Sequence, residues 1–487
     1  MRSRRWITDW RPEDERFWRT TGRSVARRNL VVSIFAEHLG FAIWALWSVV
    51  VLNLGAAGLP MTVSESLWLV STPNLVGAAL RIPYTFAVPR FGGGVWTTMS
   101  AASLLVPTGL LAFLVPGDWL SAQSHDTQFA VLLVCAALAG LGGGNFSSSM
   151  ANISFFYPER HKGFILGLNA AGGNLGVAVV QVVVPLVVVV GVPDGEVDLA
   201  NAGLMWLPLI VLAAVCAWLF MDNLAEARTD LKPYVAALRE RQTWVVAVLY
   251  LGTFGSFIGF SFALPLVIRS TFPEFLDQHP FIRDHLAGLG FLGALVGSLS
   301  RPFGGRLSDR CGGARVTFWA FIGMVFATGA AAVGVQQREF AVFLGAFLVV
   351  FLLSGAGNGS TYRMIPVIFG VLGREEAAAK GLDPATTLVD FKRRAAAVIG
   401  LVGAIGAFGG FAVQQVFRLA AQGATTALDG TAGDAVVRVT PDHVAWSLPA
   451  LAVFIGFYVL CAFLAWWEYL RRTVLVARVP SLAHVDV

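Results

Sequence analysis

Three arginines, Arg81, Arg301 and Arg363, stand inside long apolar stretches of this sequence. A charge at the centre of a bilayer costs roughly 2.5 to 3.5 kcal/mol on insertion scales, so each of these residues needs a reason. Glu37 and His38, near the start of the first stretch, complete the short set of charged or histidine side chains in such positions. The surplus of positive charge predicts a small anion as ligand, and the planar fork of guanidinium donors suits an oxyanion.

Arg81 and Arg301 occupy matched positions in two halves of the chain. Arg81 follows Glu65 by 16 residues, and Arg301 follows His285 by 16. A proline, an aromatic residue and a glycine-rich segment come after each arginine. We expect this pair to bind the anion from both halves. Arg363, close to the end of its stretch, is equally well explained by pairing at a helix end.

Two stretches of small residues also repeat between the halves. One contains Gly144 and Asn145, and the other contains Gly357 and Asn358. No Gly-Lys-Ser/Thr follows either stretch, so a phosphate-binding loop is excluded. The glycines are explained either by close packing of membrane helices or by a place in the site. The asparagines need hydrogen-bond partners within hydrocarbon, which makes them candidates for ligand binding.

A third feature is the segment with Gly305, Asp309 and Arg310, which we predict on a tight turn between the eighth and ninth apolar stretches. Such a cluster either clamps a helix end in one conformation and releases it in another, or is a solvated basic loop. It is therefore a candidate conformational element rather than part of the ligand site.

The elements that carry these residues follow from composition. The 487 residues are 56% hydrophobic and 13% charged, with a mean hydropathy of +0.69, whereas a soluble domain has about 25% charged residues. Soluble and disordered chains are excluded. Twelve windows lack charged and histidine residues; ten are long enough to cross a bilayer, and Arg81 and Arg301 end the two short ones. We predict an all-α membrane protein with twelve transmembrane helices in two pseudo-symmetric six-helix halves.

The distribution of Lys and Arg predicts the topology. With a cytoplasmic N-terminus, 27 of the 35 basic residues face the cytoplasm, so both termini are expected inside. The net charge of +5 is explained in this way, without a nucleic-acid partner. The predicted parts are an N-terminal segment, a first half, a cytoplasmic linker, a second half and a cytoplasmic tail: residues 1–28, 29–221, 222–241, 242–470 and 471–487. Two homologous halves are typical of a transporter that rocks around a site at the repeat interface.

The four cysteines are widely separated and contain no Cys-x-x-Cys pair, so we expect neither a disulfide framework nor a metal site, and no cofactor. A membrane-embedded enzyme or haem-bearing respiratory subunit would need paired histidines or a nucleophile with a carboxylate within spans. His38 is the only histidine in a span, so we expect a protein that is not an enzyme.

The motifs resemble those of a known family. The sequence from Gly305 to Arg315 is similar to the cytoplasmic-loop motif of the major facilitator superfamily. Residues 142–156, continuing through 167–169, resemble the first nitrate signature of NarK-type nitrate/nitrite porters, and residues 357–366 resemble the second. The Trp-Arg-Pro-Glu-Asp-Glu-Arg-Phe-Trp segment at 10–18 matches the bacterial branch. The resemblance covers essentially the whole chain.

This resemblance implies a monomeric, multi-pass transporter of the cytoplasmic inner membrane that carries nitrate and nitrite. It implies that Arg81 and Arg301 bind the anion from opposite halves, with Phe146 and Phe254 on the two faces of its plane. Further residues are implied to line or support the site: Tyr250, Asn169, Gly144, Asn145, Gly357 and Asn358. A ring face repels an anion, so the rings need the flanking guanidinia.

Three mechanisms remain open. Two guanidinia that face each other in an empty carrier repel, which favours nitrate/nitrite exchange because an anion then travels in each direction. Proton-coupled nitrate symport is the alternative, with Glu37 and His38 as candidates for the proton site or, instead, as structural residues. Transport of another small organic or phosphate anion is the third, although a dianion would call for more donors than the spans supply.

Overall fold

The computed structural model describes residues 6–193, 196–225, 231–425 and 445–471. Twelve long helices lie in this part of the chain, as predicted. The first six are α1 to α6: Glu15–Val50, Val63–Phe91, Gly93–Phe113, His125–Phe156, Arg160–Val187 and Leu199–Phe220. The second six are α7 to α12: Arg241–Thr271, Phe291–Cys311, Gly313–Gln336, Phe340–Lys380, Pro384–Gln422 and Ala445–Leu470.

Ten of these helices are long and apolar enough to cross a membrane by length and composition. The other two are α2 and α8, which carry Arg81 and Arg301 and are 29 and 21 residues long. A helix of about 20 residues spans the hydrocarbon core. The two short apolar windows of the sequence therefore belong to helices of full length that contain a charge.

The contacts within the chain divide it into two compact units. Unit 1 comprises Met1–Arg228, Ile258–Leu295 and Gly410–Ala450, so it contains α1 to α6 together with the end of α7 and the end of α11. Unit 2 comprises Thr229–Phe257, Val296–Gly409 and Leu451–Val487. Arg81 belongs to unit 1 and Arg301 to unit 2.

The turns after α2 and α8 show the internal repeat in the backbone. Gly92 has φ 88° and ψ 146°, and Gly312 has φ 86° and ψ 135°. Each glycine follows its arginine, Arg81 or Arg301, by 11 residues. A positive φ is unfavourable for residues with a Cβ, which explains glycine at both turns.

The position of the second turn corrects one expectation. Gly305, Asp309 and Arg310 do not lie on the turn, because they form the last turns of α8, which continues to Cys311. The turn itself is made by Gly312. The charged cluster is therefore carried on a helix.

The N-terminal segment folds onto unit 1. Trp6–Ile7 (β1) pairs in parallel with Asn223–Leu224 (β2), at the start of the predicted linker. Trp10 and Trp18 are buried in an apolar cluster with Phe156 at the end of α4. The Trp10 Nε1–H donates to the backbone oxygen of Phe155 at 3.1 Å. The tryptophan-rich segment thus packs against the end of the first signature stretch.

A capping box starts α2. The backbone N–H of Thr62 donates to the Glu65 carboxylate, and the Thr62 hydroxyl accepts from the Glu65 N–H. His125, at the start of α4, lies 2.8 Å from the same carboxylate. Burial alone raises the pKa of Glu65, but the hydrogen bonds from Thr62 and His125 outweigh it and hold the pKa below its ordinary value. The cap is therefore favoured at neutral pH and weakens as pH falls through that lowered pKa.

Candidate functional site

Arg81 is enclosed by aromatic rings in unit 1. Its side chain is 1% exposed, and its Nε–H donates to the backbone oxygen of Gly143 at 3.2 Å. The guanidinium carbon lies 4.6 Å from the ring centroid of Phe146 and 5.4 Å from that of Trp44. Both distances are within the range of cation–π attraction, about 6 Å. Phe146 and Trp44 therefore both stand beside the Arg81 guanidinium.

The glycine stretch of α4 lets this helix approach its neighbours. A Cβ on Gly142 would lie 2.1 Å from the backbone oxygen of Gly40 in α1. A Cβ on Gly144 would lie 2.9 Å from the Tyr84 ring in α2. The packing explanation therefore accounts for Gly142 and Gly144.

Asn145 follows these glycines and is buried, and its Oδ1 has no hydrogen-bond partner among the described residues. Asn358 has the same property in unit 2. A buried amide oxygen without a partner costs free energy, and because it accepts hydrogen bonds, a donor such as water would satisfy it.

Arg301 has a similar aromatic environment in unit 2. Its side chain is 5% exposed, and its Nη2–H donates to the Tyr250 hydroxyl at 3.4 Å. The guanidinium carbon lies 6.0 Å from the Phe254 ring centroid and 5.2 Å from that of Tyr362. Tyr250 and Phe254 are stacked, with centroids 5.2 Å apart and planes 8° from parallel. The structure thus brings Arg301, Tyr250 and Phe254 together.

The backbone around these rings is irregular. Leu251–Gly255, which follows Tyr250 and contains Phe254, is a π-helical turn, a feature that often occurs at functional sites. Gly406 makes room for Tyr250, because a Cβ there would lie 2.5 Å from the ring. Gly357 makes room for Thr253 in the same way, at 2.6 Å. Gly357 therefore supports the ring positions by allowing α10 to approach α7.

Sequence reasoning missed two aromatic residues. Trp44 is beside Arg81, and Tyr362 is beside Arg301 with its ring 4.7 Å from that of Tyr250. Tyr362 lies within the second signature stretch, which was the available signal. Trp44 lies in an apolar stretch that contains several aromatic residues, and no local pattern distinguishes it.

Asn169 is placed with Glu37. Its Nδ2–H donates to Glu37 Oε2 and to Ser149 Oγ, at 2.7 Å in each case. The Ser149 hydroxyl also donates to the Glu37 carboxylate, which is fully buried. His38 points elsewhere, with its Nδ1 3.0 Å from the backbone oxygen of Gly172. The two candidates for proton coupling therefore belong to different local contacts.

Asp309 at the end of α8 pairs with Arg363 of α10, with Arg363 Nε 2.6 Å from Asp309 Oδ1. Their side chains are 55% and 51% exposed. Arg310 is exposed, and a Cβ on Gly305 would meet no atom within 4 Å. Arg363 is thus an ion-pair partner of the α8 cluster, from a position in the interior of α10.

We expect Arg363→Gln to leave the anion affinity within about twofold of wild type, because an exposed ion pair is worth only about 0 to 1 kcal/mol. The pair joins the end of α8 to the interior of α10, so any change should appear in the maximal transport rate. Initial rates over a range of anion concentrations separate the two parameters. A rise in KM of tenfold or more would place Arg363 at the anion.

Comparisons with known proteins identify the family of this chain. The family model of the Major Facilitator Superfamily matches residues 29–413. The nitrate/nitrite transporter NarU of Escherichia coli is 36% identical over 485 residues, covering 96% of this chain and 97% of that protein. The probable nitrate/nitrite antiporter NarK2 of Thermus thermophilus is 36% identical over 418 residues, covering 80% and 90%.

Solved structures show the same fold. The crystal structure of a D-xylose-proton symporter superposes with a TM-score of 0.61 at 14% sequence identity, covering 91% of this chain and 97% of the other. The family expected from the signature stretches is confirmed by the near full-length identity. The chain therefore belongs to the major facilitator superfamily and, within it, to the NarK-type nitrate/nitrite porters.

Proposed function

We propose that this protein transports nitrate and nitrite across the cytoplasmic inner membrane. The observation that carries the proposal is the near full-length identity of 36% to a nitrate/nitrite transporter, combined with a buried arginine in each unit. Each arginine is surrounded by aromatic rings that exclude water. Its positive charge therefore attracts an anion more strongly than it would in water. Transport without chemical conversion of the ion is the whole activity, and the protein is not an enzyme.

In this proposal Arg81 and Arg301 both donate to the anion during transport. A guanidinium offers two parallel N–H donors, which match two oxygens of a planar oxyanion. Phe146 and Phe254, each near its arginine, set the flat shape of the space that the ion occupies. Tyr250 orients Arg301 through the hydroxyl contact. Asn145 and Asn358 supply further polar groups, whereas Asn169 acts through Glu37.

We infer that residues 29–221 and 242–470 are the two transport halves of a monomer, both of whose termini are cytoplasmic in the bilayer. The excess of Lys and Arg in alternate loops supports this orientation. Residues 222–241 form the linker, of which 226–230 lie outside the described residues, as does all of the predicted tail except Arg471. The α8 cluster of Gly305, Asp309 and Arg310 is a conformational element in this scheme.

Exchange of nitrate for nitrite is the mechanism we favour. A carrier that returns empty brings two cationic groups into a low dielectric without a counter-ion, at a cost on the order of several kcal/mol. A bound anion removes that cost in both directions. The alternative with a specific observation in its favour is proton-coupled uptake, because Glu37 is a fully buried carboxyl group.

The test is uptake of labelled nitrate into proteoliposomes loaded with nitrite or with inert buffer, each with and without a pH gradient. Exchange predicts that internal nitrite accelerates uptake about tenfold or more, since about 1.4 kcal/mol of barrier corresponds to tenfold in rate. A pH gradient should change the rate little.

Sulfate and phosphate should not compete, and competition at concentrations comparable to nitrate would favour an organic or phosphate anion as substrate.

Rapid uptake into nitrite-free vesicles that is driven by protons and lost in Glu37→Gln would contradict exchange. The matched control is Glu65→Gln, which removes a carboxylate at the start of α2, outside the apolar windows. This control separates loss of a buried proton site from loss of negative charge in general.

A further inference from the structure

Trp44 of α1 contacts Arg81, and the proposed transport cycle assigns it no role. Its side chain is fully buried, and its ring lies 5.4 Å from the guanidinium carbon of Arg81. Phe41, one turn earlier in α1, meets it edge to face at 5.3 Å. The face of an indole attracts a guanidinium more strongly than the other aromatic side chains do. Trp44 therefore holds one side of the Arg81 charge.

Two glycines leave the space that the indole ring occupies. A Cβ on Gly77 in α2 would lie 2.7 Å from Trp44 Nε1, and a Cβ on Gly143 in α4 would lie 2.6 Å from Trp44 Cε2. Any larger residue at either position would displace the ring. Gly143 is also the residue whose backbone oxygen accepts from Arg81 Nε. The indole, Gly143 and the guanidinium consequently pack as one group.

A hydrogen bond fixes the indole along α2. The Trp44 Nε1–H donates to the backbone oxygen of Pro73 at 2.8 Å. Pro73 precedes Arg81 on the same helix by 8 residues, which is about 12 Å along the axis. Trp44 thus contacts α2 at two levels, at Pro73 and at the arginine.

The indole also meets α7 within unit 1. The Phe262 ring lies 5.2 Å from that of Trp44 in an edge-to-face arrangement. Next to it, the backbone oxygen of Ser261 accepts from Gln181 Nε2 at 2.6 Å, and this amide also donates to the Ser48 hydroxyl. The end of α7 therefore covers Trp44 and is fastened to α5. Separation of α7 from α1 would remove this cover.

Unit 2 contains a parallel arrangement. Gly297 precedes Arg301 by four residues, as Gly77 precedes Arg81. A Cβ on Gly297 would lie 2.6 Å from the Phe257 ring. An aromatic side chain thus packs against the glycine that lies one turn before each arginine. In unit 1 this ring is an indole with an N–H donor, and in unit 2 it is a phenyl ring.

We propose that Trp44 is a positioning residue: it fixes the guanidinium of Arg81 for the anion, and Phe262 on α7 holds it in place. When α7 separates from α1 at Phe262, the indole becomes less constrained. Arg81 then binds the anion less tightly from that side. Trp44 does not itself bind the anion. The inference rests on the proposed function, because nitrate is the ion whose affinity reports the position of Arg81.

The experiment compares wild type with two changes at position 44 in nitrite-loaded proteoliposomes. The first is Trp44→Phe, which removes the Nε1–H and shortens the ring. The second is site-specific replacement of Trp44 by tetrafluorotryptophan, which retains the shape and the N–H but weakens the negative charge of the ring face. The matched control is Trp319→Phe on α9, where the side chain is 66% exposed.

We expect Trp44→Phe to raise the KM for nitrate about tenfold, as loss of a desolvated cation–π contact would. The maximal rate should change less than threefold. A smaller rise in KM is expected with the fluorinated residue, and none with Trp319→Phe. A purely structural role would lower the amount of folded protein without changing KM.

A KM within twofold of wild type for the fluorinated protein would overturn the proposal, whatever the behaviour of Trp44→Phe. This arm decides the question even where Trp44→Phe fails to fold. Uptake by wild-type vesicles distinguishes failure of this proposal from failure of the proposed function. Absence of nitrate uptake by wild type would refute nitrate transport itself, whereas normal wild-type uptake with an unchanged fluorinated protein would refute only the role of Trp44.

Discussion

Arg81→Lys and Arg301→Lys are each expected to lower kcat/KM for nitrate by about 100-fold or more, which corresponds to about 3 kcal/mol of lost charge-assisted hydrogen bonding. Lysine keeps the positive charge but not the planar fork. In Arg81 the Nε–H donates to the Gly143 oxygen while the guanidinium carbon lies over the Phe146 ring. A single ammonium group cannot make this backbone contact and also donate to two oxygens of the anion.

Initial rates of labelled nitrate uptake, with the amount of protein in the vesicles measured, test this expectation. Arg363→Lys is the matched control, because it makes the same substitution in an exposed ion pair. The control should retain wild-type KM. Near-normal affinity in both Arg81→Lys and Arg301→Lys would disprove the assignment of the anion to the two guanidinia.

Gly359→Ala is expected to lower transport at least tenfold and to destabilise the protein. A Cβ on Gly359 would lie 2.3 Å from the backbone oxygen of Arg301 and 2.7 Å from the backbone nitrogen of Gly305. Backbone atoms cannot rotate away as a side chain can, so α10 must move from α8 at the level of the arginine. Overpacking of this kind costs typically 1 to 3 kcal/mol.

The control for this substitution is Gly345→Ala on the same helix, where a Cβ would meet no atom within 4 Å. Alanine there removes backbone freedom without a clash and should be neutral or slightly stabilising. Thermal unfolding in detergent and nitrate uptake are measured for both variants. Equal melting temperatures and equal transport for the two would show that α8 and α10 do not need this close approach.

The number of membrane helices follows from local properties of the sequence. Hydropathy in a window of about 20 residues predicts a spanning helix wherever that window lies in the chain. The two helices with a central arginine were still predicted, since apolar sequence resumes after Arg81 and Arg301. The matched spacing then predicted the internal repeat, which appears in the structure as the equivalent turns at Gly92 and Gly312.

Positions within a turn were predicted less well. The Gly305 to Arg310 segment has the composition of a turn, yet it is helical to Cys311. A helix ends where the backbone adopts a conformation that the helix cannot continue, and here that residue is Gly312, with its positive φ. Composition alone does not distinguish Gly305 from Gly312, because each belongs to a Gly-Gly pair with an arginine within two residues.

The sequence by itself determined the membrane class, the helix count, the repeat and the two buried arginines, because hydropathy and spacing are properties of neighbouring residues. Only the tertiary structure decided which side chains surround these arginines. Trp44 meets Arg81 across 37 residues, and Tyr362 meets Arg301 across 61. Asn169 likewise donates a hydrogen bond to Glu37, 132 residues away. Such contacts depend on which helices pack together and on the glycines that set their distance, and no local pattern encodes them.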